Sequence, residues 1–318
     1  MRAVVRRRYG DPLEIRETPA PAAGPREVLV EVRAAGVDQG VWHLATGLPY
    51  AVRAAGFGLR RPRRPILGLD LAGVVAAVGP EVTGLRVGDE VFGTGDGTFA
   101  ELAVSTERRL ARKPERISFA QAATVAGSGV AALQGLRDAG RLRSGQRVLI
   151  LGAGGGVGSF AVQIARILGA EVTGVCSAAK ADLVRSLGAA HVVDYATGEP
   201  TGRWDLVLDT GGGRTLRALR HLLTPAGTLV IVGGERGGRW LQGSDRQLRA
   251  GLLNGFTRQH LTGLLSKATA PLLETLAAWM ASGALTPVVD RTFPLAEAAS
   301  ALDYLRAGHP RGKVALTL

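Results

Sequence analysis

The chain has 318 residues, 46% hydrophobic and 21% charged, with 45 glycines and a single cysteine. That length and apolar content suit two domains with buried cores and exclude a disordered tail, a fibrous repeat and a small disulfide-stapled scaffold. The net charge of +12 raises nucleic acid as a partner, since a basic face gathers phosphates and releases counterions. All but four of the 39 basic residues are arginine, however, spread from Arg2 to Arg311 without the interleaved aromatics of a base-stacking platform. The excess therefore reads as compositional bias and argues against nucleic-acid binding. One Cys and five scattered His are too few for a structural zinc cage, and the lone Cys176 points to a reducing compartment. The N-terminus carries the charge of a signal peptide but no apolar run follows it, and no stretch reaches membrane-span length. The expectation is a cytoplasmic protein with no membrane partner.

In chain order, the first third is β-rich. Short apolar or alternating runs at 28–32, 71–78, 90–92 and 99–104 are separated by Gly, Pro and Asp turns about ten residues apart, the spacing of barrel-like sheets. Between them Arg60, Arg61, Arg63 and Arg64 are broken by Pro62 and Pro65, which forbid a regular helix. Near Arg116 the texture becomes that of parallel βαβ units. An apolar strand at 148–151 leads through a glycine turn into a helix with Val157, Ala161, Ile164, Ala165 and Leu168 on one face. Strands at 171–175, 191–195, 205–209, 228–232 and 261–265 follow, with a helix at 179–187. A helix at 270–280, a strand at 288–293, a helix at 295–307 and a strand at 313–318 close the chain, and this last part is expected to rejoin the first domain.

The run Gly152-Ala153-Gly154-Gly155-Gly156-Val157-Gly158 lies directly after a buried strand and before an amphipathic helix. Glycines there allow a tight turn and a close backbone approach to a pyrophosphate, while the helix start offers unpaired N–H groups. The bland alternative is a glycine-rich turn that binds nothing. Sites preferring NAD place Asp or Glu about 20 residues after the first glycine to hold the ribose 2′-hydroxyl. Here Cys176, Ser177, Ala178, Ala179 and Lys180 stand there. Ser177 and Lys180 can donate to a 2′-phosphate, which favours NADPH, unless Lys180 is merely a solvated first-turn residue. Gly211, which begins the Gly211-Gly212-Gly213 run, and Gly233 with Gly234 each end an apolar strand. In doubly wound sheets the backbone passes close to a coenzyme at such ends, though ordinary turn glycines would look the same.

The glycine motif, together with Val87-Gly88-Asp89-Glu90-Val91-Phe92-Gly93, Gly68-Leu69-Asp70-Leu71-Ala72-Gly73, Ala35-Gly36-Val37-Asp38 and Gly312-Lys313-Val314, resembles the medium-chain dehydrogenase/reductase superfamily. It is most similar to the zinc-independent quinone oxidoreductase branch, and the resemblance spans essentially the whole chain. It implies an α/β protein built from a GroES-like β-barrel catalytic domain (1–118 and 268–318), a Rossmann doubly wound parallel sheet (119–267) and a nicotinamide cleft. Metal-dependent relatives carry a catalytic Cys just after the Gly-Val step and a His-Glu pair in the segment matching 68–73. This chain has Asp38, Leu69 and Asp70 there, which cannot replace thiolate and imidazole. His43, with Trp42 and Leu44 beside it, reads as a wall residue rather than a ligand, so no metal is expected.

Without a Lewis acid, oxidising a simple alcohol is difficult, whereas a quinone or conjugated enone delocalises the incoming charge itself. By resemblance, Asp38, Trp42 and Tyr50 lie over the nicotinamide, and Tyr50 could donate a hydrogen bond to substrate oxygen; packing explains them equally well. Ser128 and Gln134 are expected on the helix start before the Rossmann unit, where a Thr common in relatives is replaced by Ala131. Tyr195 is implied at the adenosine phosphate end. Lys313 either approaches coenzyme phosphate or blocks a strand edge. The loop 49–65 is expected to shape the pocket mouth, its arginines favouring acidic acceptors. The expectation is thus an NADPH-dependent, zinc-independent quinone or enone reductase, with a small-molecule substrate and, as in similar proteins, a homodimer paired through 261–265. The alternatives are a non-catalytic NADPH-binding regulatory protein and an alcohol dehydrogenase with an unconventional metal site.

Overall fold

The computed structural model describes residues 1–233, 239–240 and 244–318, apart from the side chains of Ala55, Ser244 and Phe256. The chain divides into two compact units, Met1–Val130 with Lys267–Leu318, and Ala131–Ser266. The division falls inside the helix Val125–Leu133.

The first unit contains β1 (Arg2–Val5), β2 (Glu14–Glu17), β3 (Val28–Val37), β4 (Asp70–Val78), β5 (Glu90–Thr94), β6 (Leu102–Ser105) and β7 (Leu110–Arg112), joined near the C-terminus by β14 (Val289–Pro294) and β15 (Lys313–Thr317). Strands β1 and β2 form an antiparallel ribbon; the others form one sheet in the order β14-β15-β3-β4-β5-β7, with β6 also on β3. β3 shows why: Val28, Val30 and Val32 point inward while Glu31 and Arg33 point out, the period of a strand with one buried face. Val30, Leu71, Val75, Phe99 and Leu316 are core side chains there, each contributing about 1.5–3 kcal/mol by leaving water. Gly73 permits the β3–β4 approach, since a Cβ on it would lie 2.1 Å from the Glu31 carbonyl oxygen.

Two expectations need correction here. The strand expected at 99–104 is β6, Leu102–Ser105; Ala100 meets the N-terminal ribbon only through an isolated bridge to Ala3. Phe99 is apolar because it is buried in the core. The ribbon itself was not foreseen, because all four residues of β2 are exposed and show no alternation.

The second unit is a parallel sheet of β8 (Arg147–Leu151), β9 (Glu171–Cys176), β10 (His191–Asp194), β11 (Trp204–Asp209), β12 (Leu223–Ile231) and β13 (His260–Gly263), ordered β10-β9-β8-β11-β12-β13. After Arg147 every residue of β8 is apolar and buried, as a strand covered on both faces requires. The strand order reverses between β8 and β11, which is where doubly wound sheets open to receive a ligand at their carboxyl ends. The helix expected at 179–187 begins instead as a 3-10 turn, Ala178–Lys180, before the α-helix Ala181–Ser186; the Lys180 N–H closes that turn on the Ser177 carbonyl at 2.9 Å. Among the described residues no helix is long and apolar enough to cross a membrane.

Candidate active site

In the second unit the glycine turn sits at the carboxyl end of β8. The N–H groups of Gly152 and Ala153 both donate to the Val175 carbonyl at 3.0 Å, and the Gly155 N–H donates to the Gly152 carbonyl at 3.0 Å, folding the run back on itself. Gly152 has φ +82°, a conformation glycine adopts without strain, and a Cβ on it would lie 2.6 Å from the Thr210 hydroxyl. Gly155 caps the helix Gly156–Ile167, which has no side-chain cap. The first-turn N–H groups, Gly156, Val157 and Gly158 among them, are those a helix leaves open to an anion. Gly158 is buried under the turn: its Cβ position is 2.1 Å from the Gly152 carbonyl oxygen. Gly154 is covered instead by Lys180, whose side-chain carbons come within 2.7 Å of the Cβ position.

The expected 2′-phosphate end therefore lies beside the turn. Ser177 and Lys180 are half-buried at the end of β9. One residue missed by the sequence reading is Asp194, register partner of Cys176 on β10. Its carboxylate accepts the Ala196 N–H at 3.0 Å and its charge, after burial, pushes the Cys176 thiol up, while Lys180 and Arg185 pull it down. One carboxylate thus stands near this strand end, opposed by two cations. Tyr195 follows β10, exposed, its N–H donating to the Cys176 carbonyl at 3.1 Å.

Gly211 lies beside Gly152, and Gly233 beside the Thr210 carbonyl, so the ends of β8, β11 and β12 converge; Gly234 lies outside the described residues. Sequence reasoning also missed the buried Asp209 at the end of β11, which pairs with Arg246 and accepts the Gly212 N–H at 3.1 Å. Nothing local in the sequence signals that pair, since its members are 37 residues apart. Gln134 opens a π-helical turn and its side-chain carbonyl accepts the Ser266 hydroxyl at 3.0 Å. The expectation that Ser128 and Gln134 lie on a helix start is corrected: Ser128 is interior to Val125–Leu133, and Gln134 continues from the end of that helix into the π-helical turn Gln134–Ala139. A helix start in this region is that of Phe119–Ala122, capped by the box of Ser118 with Gln121.

In the first unit, Asp38 caps the helix Gln39–Thr46, its Oδ1 accepting the Val41 N–H at 3.0 Å. Trp42 on that helix is covered by the Arg306 guanidinium, 3.9 Å from the ring centroid. His43 Nδ1 is 2.7 Å from the Leu48 carbonyl oxygen. Tyr50 and Tyr9 stand over one guanidinium, that of Arg53, at 4.9 and 4.5 Å, which straps the start of the 49–65 segment; residues 50–57, expected as loop, form the helical turns Tyr50–Val52 and Arg53–Phe57. Farther along, Arg64 pairs with Asp96, and Arg60, Arg61 and Arg63 are exposed.

Lys313 corrects the edge-blocking alternative. β15 is paired on both sides, by β14 and β3, and Lys313 is only 3% exposed, its Nζ donating to the Ser128 hydroxyl at 2.9 Å. Beside it is Asp70, buried at the start of β4, whose Oδ2 accepts the Gly127 N–H at 2.7 Å. Burial, and then the charge of Asp38, push the Asp70 carboxyl up to about 7, against the opposing pull of Lys313 and the Gly127 N–H. The place where metal-dependent relatives hold zinc thus contains two carboxylates, Leu69 and an ammonium. That donor set does not fit zinc. Among the described residues no group of three or more His, Cys, Asp or Glu could hold a metal ion.

A parallel sheet open at its switch point, in one chain with a mostly antiparallel β unit carrying buried titratable groups, is an architecture that dehydrogenases and reductases use. Residues 24–115 match the family described as alcohol dehydrogenase GroES-like domain, and residues 187–316 that described as zinc-binding dehydrogenase. The chain is 37% identical over 312 residues to the spectinabilin polyketide synthase system protein NorB of Streptomyces orinoci, covering 95% of this chain but 14% of that protein. It is 32% identical over 335 residues to the mitochondrial NAD(P)H oxidoreductase RTN4IP1 of Mus musculus, covering 92% and 82% of the two chains. The quinone oxidoreductase from Coxiella burnetii has a similar structure, with TM-score 0.85, 26% identity and coverage of 100% and 99%. The chain belongs to the medium-chain dehydrogenase/reductase superfamily, in its quinone-oxidoreductase-like branch, and is an oxidoreductase.

Proposed function

We propose that this oxidoreductase is an NADPH-dependent, zinc-independent reductase acting on a quinone or an α,β-unsaturated carbonyl. The observation that carries the reading is the lysine stem laid across Gly154 beside a helix start with no capping side chain: backbone N–H groups suit a pyrophosphate, and an adjacent cation suits a further phosphate. The bound nicotinamide supplies hydride chemistry. The chain's own part is to hold the pyrophosphate on the first turn of Gly156–Ile167 and to offer Ser177 and Lys180 to the 2′-phosphate. Gly152, Gly211 and Gly233 keep side chains out of the space at the strand ends. With carboxylates and an ammonium where zinc ligands would stand, the fitting acceptor is one that delocalises its own incoming charge.

Coenzyme oxidation followed across quinones, enones and simple aldehydes tests this directly. Turnover of quinones or enones without added zinc is expected. Coenzyme binding with no turnover would make the protein a regulatory binder, and activity proportional to bound zinc would make it an alcohol dehydrogenase. Lys180→Glu is expected to weaken NADPH binding at least tenfold while leaving NADH nearly unchanged, since only NADPH bears the extra phosphate. Equal losses in a fluorescence titration would reject the assignment. The edge position of β13 supports the pairing of two copies along that strand, which a monomeric mass by light scattering would rule out.

A further inference from the structure

Asp38 and Asp70 are directed at the same point. Oδ2 of Asp38 and Oδ2 of Asp70 lie 3.0 and 2.9 Å from the position a Cβ on Gly127 would take, so the missing side chain at 127 is what lets two acidic groups share this space. Each carboxylate is also tied from behind. Oδ1 of Asp38 is held by the Val41 N–H, leaving Oδ2 toward the shared space, and Oδ2 of Asp70 is held by the Gly127 N–H. The two groups differ in access: Asp70 is buried, whereas Asp38 is partly open. Lys313 is the nearby cation, anchored on Ser128, the residue following Gly127.

Among the described residues, the other groups placed against Asp70 are uncharged. From β3 it meets Gly36, whose Cβ position is 3.0 Å from the Asp70 Cβ, from β5 its register partner Thr94, and its own carbonyl accepts the Thr98 hydroxyl at 2.9 Å. The charges facing it are Asp38 from the helix Gln39–Thr46 and Lys313 from β15. Two carboxylates with one cation, in a space closed to water on one side, hold one proton between them more cheaply than they hold two negative charges.

We propose that the Asp38–Asp70 pair, backed by Lys313, is the proton donor of the reduction, with Asp38 as the group that meets substrate and Asp70 as the positioning residue that retains the proton. This rests on the reductase reading above. Hydride, with its electron pair, adds to the β-carbon of an enone or to a quinone, and the electrons displaced from the π system collect on the carbonyl oxygen. One proton leaves the pair for that oxygen, giving an enol or a hydroquinone; the enol then becomes the saturated ketone. The pair is left dianionic beside the Lys313 ammonium and regains its proton from water. Such a device would replace the electrostatic help of a metal ion with a proton delivered as charge develops.

The test combines infrared spectroscopy of the coenzyme-free protein with kinetics of Asp38→Asn and Asp70→Asn. At pH 6 the wild type should show the carbonyl stretch of a buried protonated carboxyl, absent in Asp70→Asn. Both variants should lose about 100-fold in kcat, the low end for general acid catalysis, with coenzyme affinity unchanged, and should lose the fall in kcat that the wild type shows as pH rises through about 7. An absent carboxyl band in the wild type overturns the proposal. So does an Asp38→Asn protein with wild-type kcat and pH profile, a measurement that does not depend on Asp70→Asn folding. If no quinone or enone is turned over at all, the reductase reading fails, and the infrared band reports separately whether the pair stores a proton.

Discussion

Lys313→Met is expected to cost roughly 3–5 kcal/mol of unfolding free energy at pH 8.5, the scale for removing one partner of a buried charge set, and far less at pH 5.5. The lysine is buried on a strand paired on both sides, and its charge holds down a carboxyl that burial has pushed up to about 7. Because that carboxyl lies above its ordinary value of 3.8 in the folded protein, the native state binds the proton more tightly than the unfolded chain. The corresponding stability is fully present below the ordinary value and is lost as pH climbs from there through about 7. At pH 5.5 the pair already holds a proton, so the methionine variant leaves a single negative charge beside the partly open Asp38; at pH 8.5 it leaves two carboxylates facing each other without the ammonium. Urea unfolding at the two pH values separates charge from packing. An equal loss at both would mean that Lys313 stabilises through its stem alone.

Gly158→Ala is expected to raise the Kd for coenzyme at least tenfold and to destabilise the protein by about 1–3 kcal/mol, the usual range for overpacking. The added Cβ would lie 2.1 Å from the Gly152 carbonyl oxygen and 2.7 Å from the Ala153 Cα. Both are backbone atoms of the turn, so the helix start must move away from β8 and take its open N–H groups with it. Gly198→Ala is the control: nothing lies within 4 Å of its Cβ position and its φ is not in the left-handed region. Thermal melting and fluorescence titration of both variants are sufficient. Wild-type coenzyme affinity in Gly158→Ala would show that this packing does not shape the site.

Parts of this molecule can be read along the chain because their causes are local. The apolar run of β8, the glycines after it and the one-sided helix that follows obey periods of two and 3.6 within a few residues of each other, and the β9 end without an acidic residue of its own is visible at a fixed distance from the turn. Even here the neighbouring strand matters. Asp194 reaches the end of β9 only through the parallel register of β10, which no count along the sequence supplies.

What the sequence by itself determined is the two-part architecture and the glycine turn between a buried strand and an amphipathic helix, consequences of residue type and short spacing, while the resemblance supplied the positions at which Asp38, Leu69 and Asp70 replace metal-ligand types. The tertiary structure alone decided the meaning of Asp38, Asp70 and Lys313. Antiparallel pairing of Ala35 with Leu71, and of Val314 with Val37, brings the start of β4 and of β15 to the far end of β3, just before Asp38, and the helix carrying Gly127 and Ser128 closes over them. Charge interactions fall with distance in space and are strengthened where water is excluded. A carboxyl's proton affinity is therefore set by neighbours that only folding brings together.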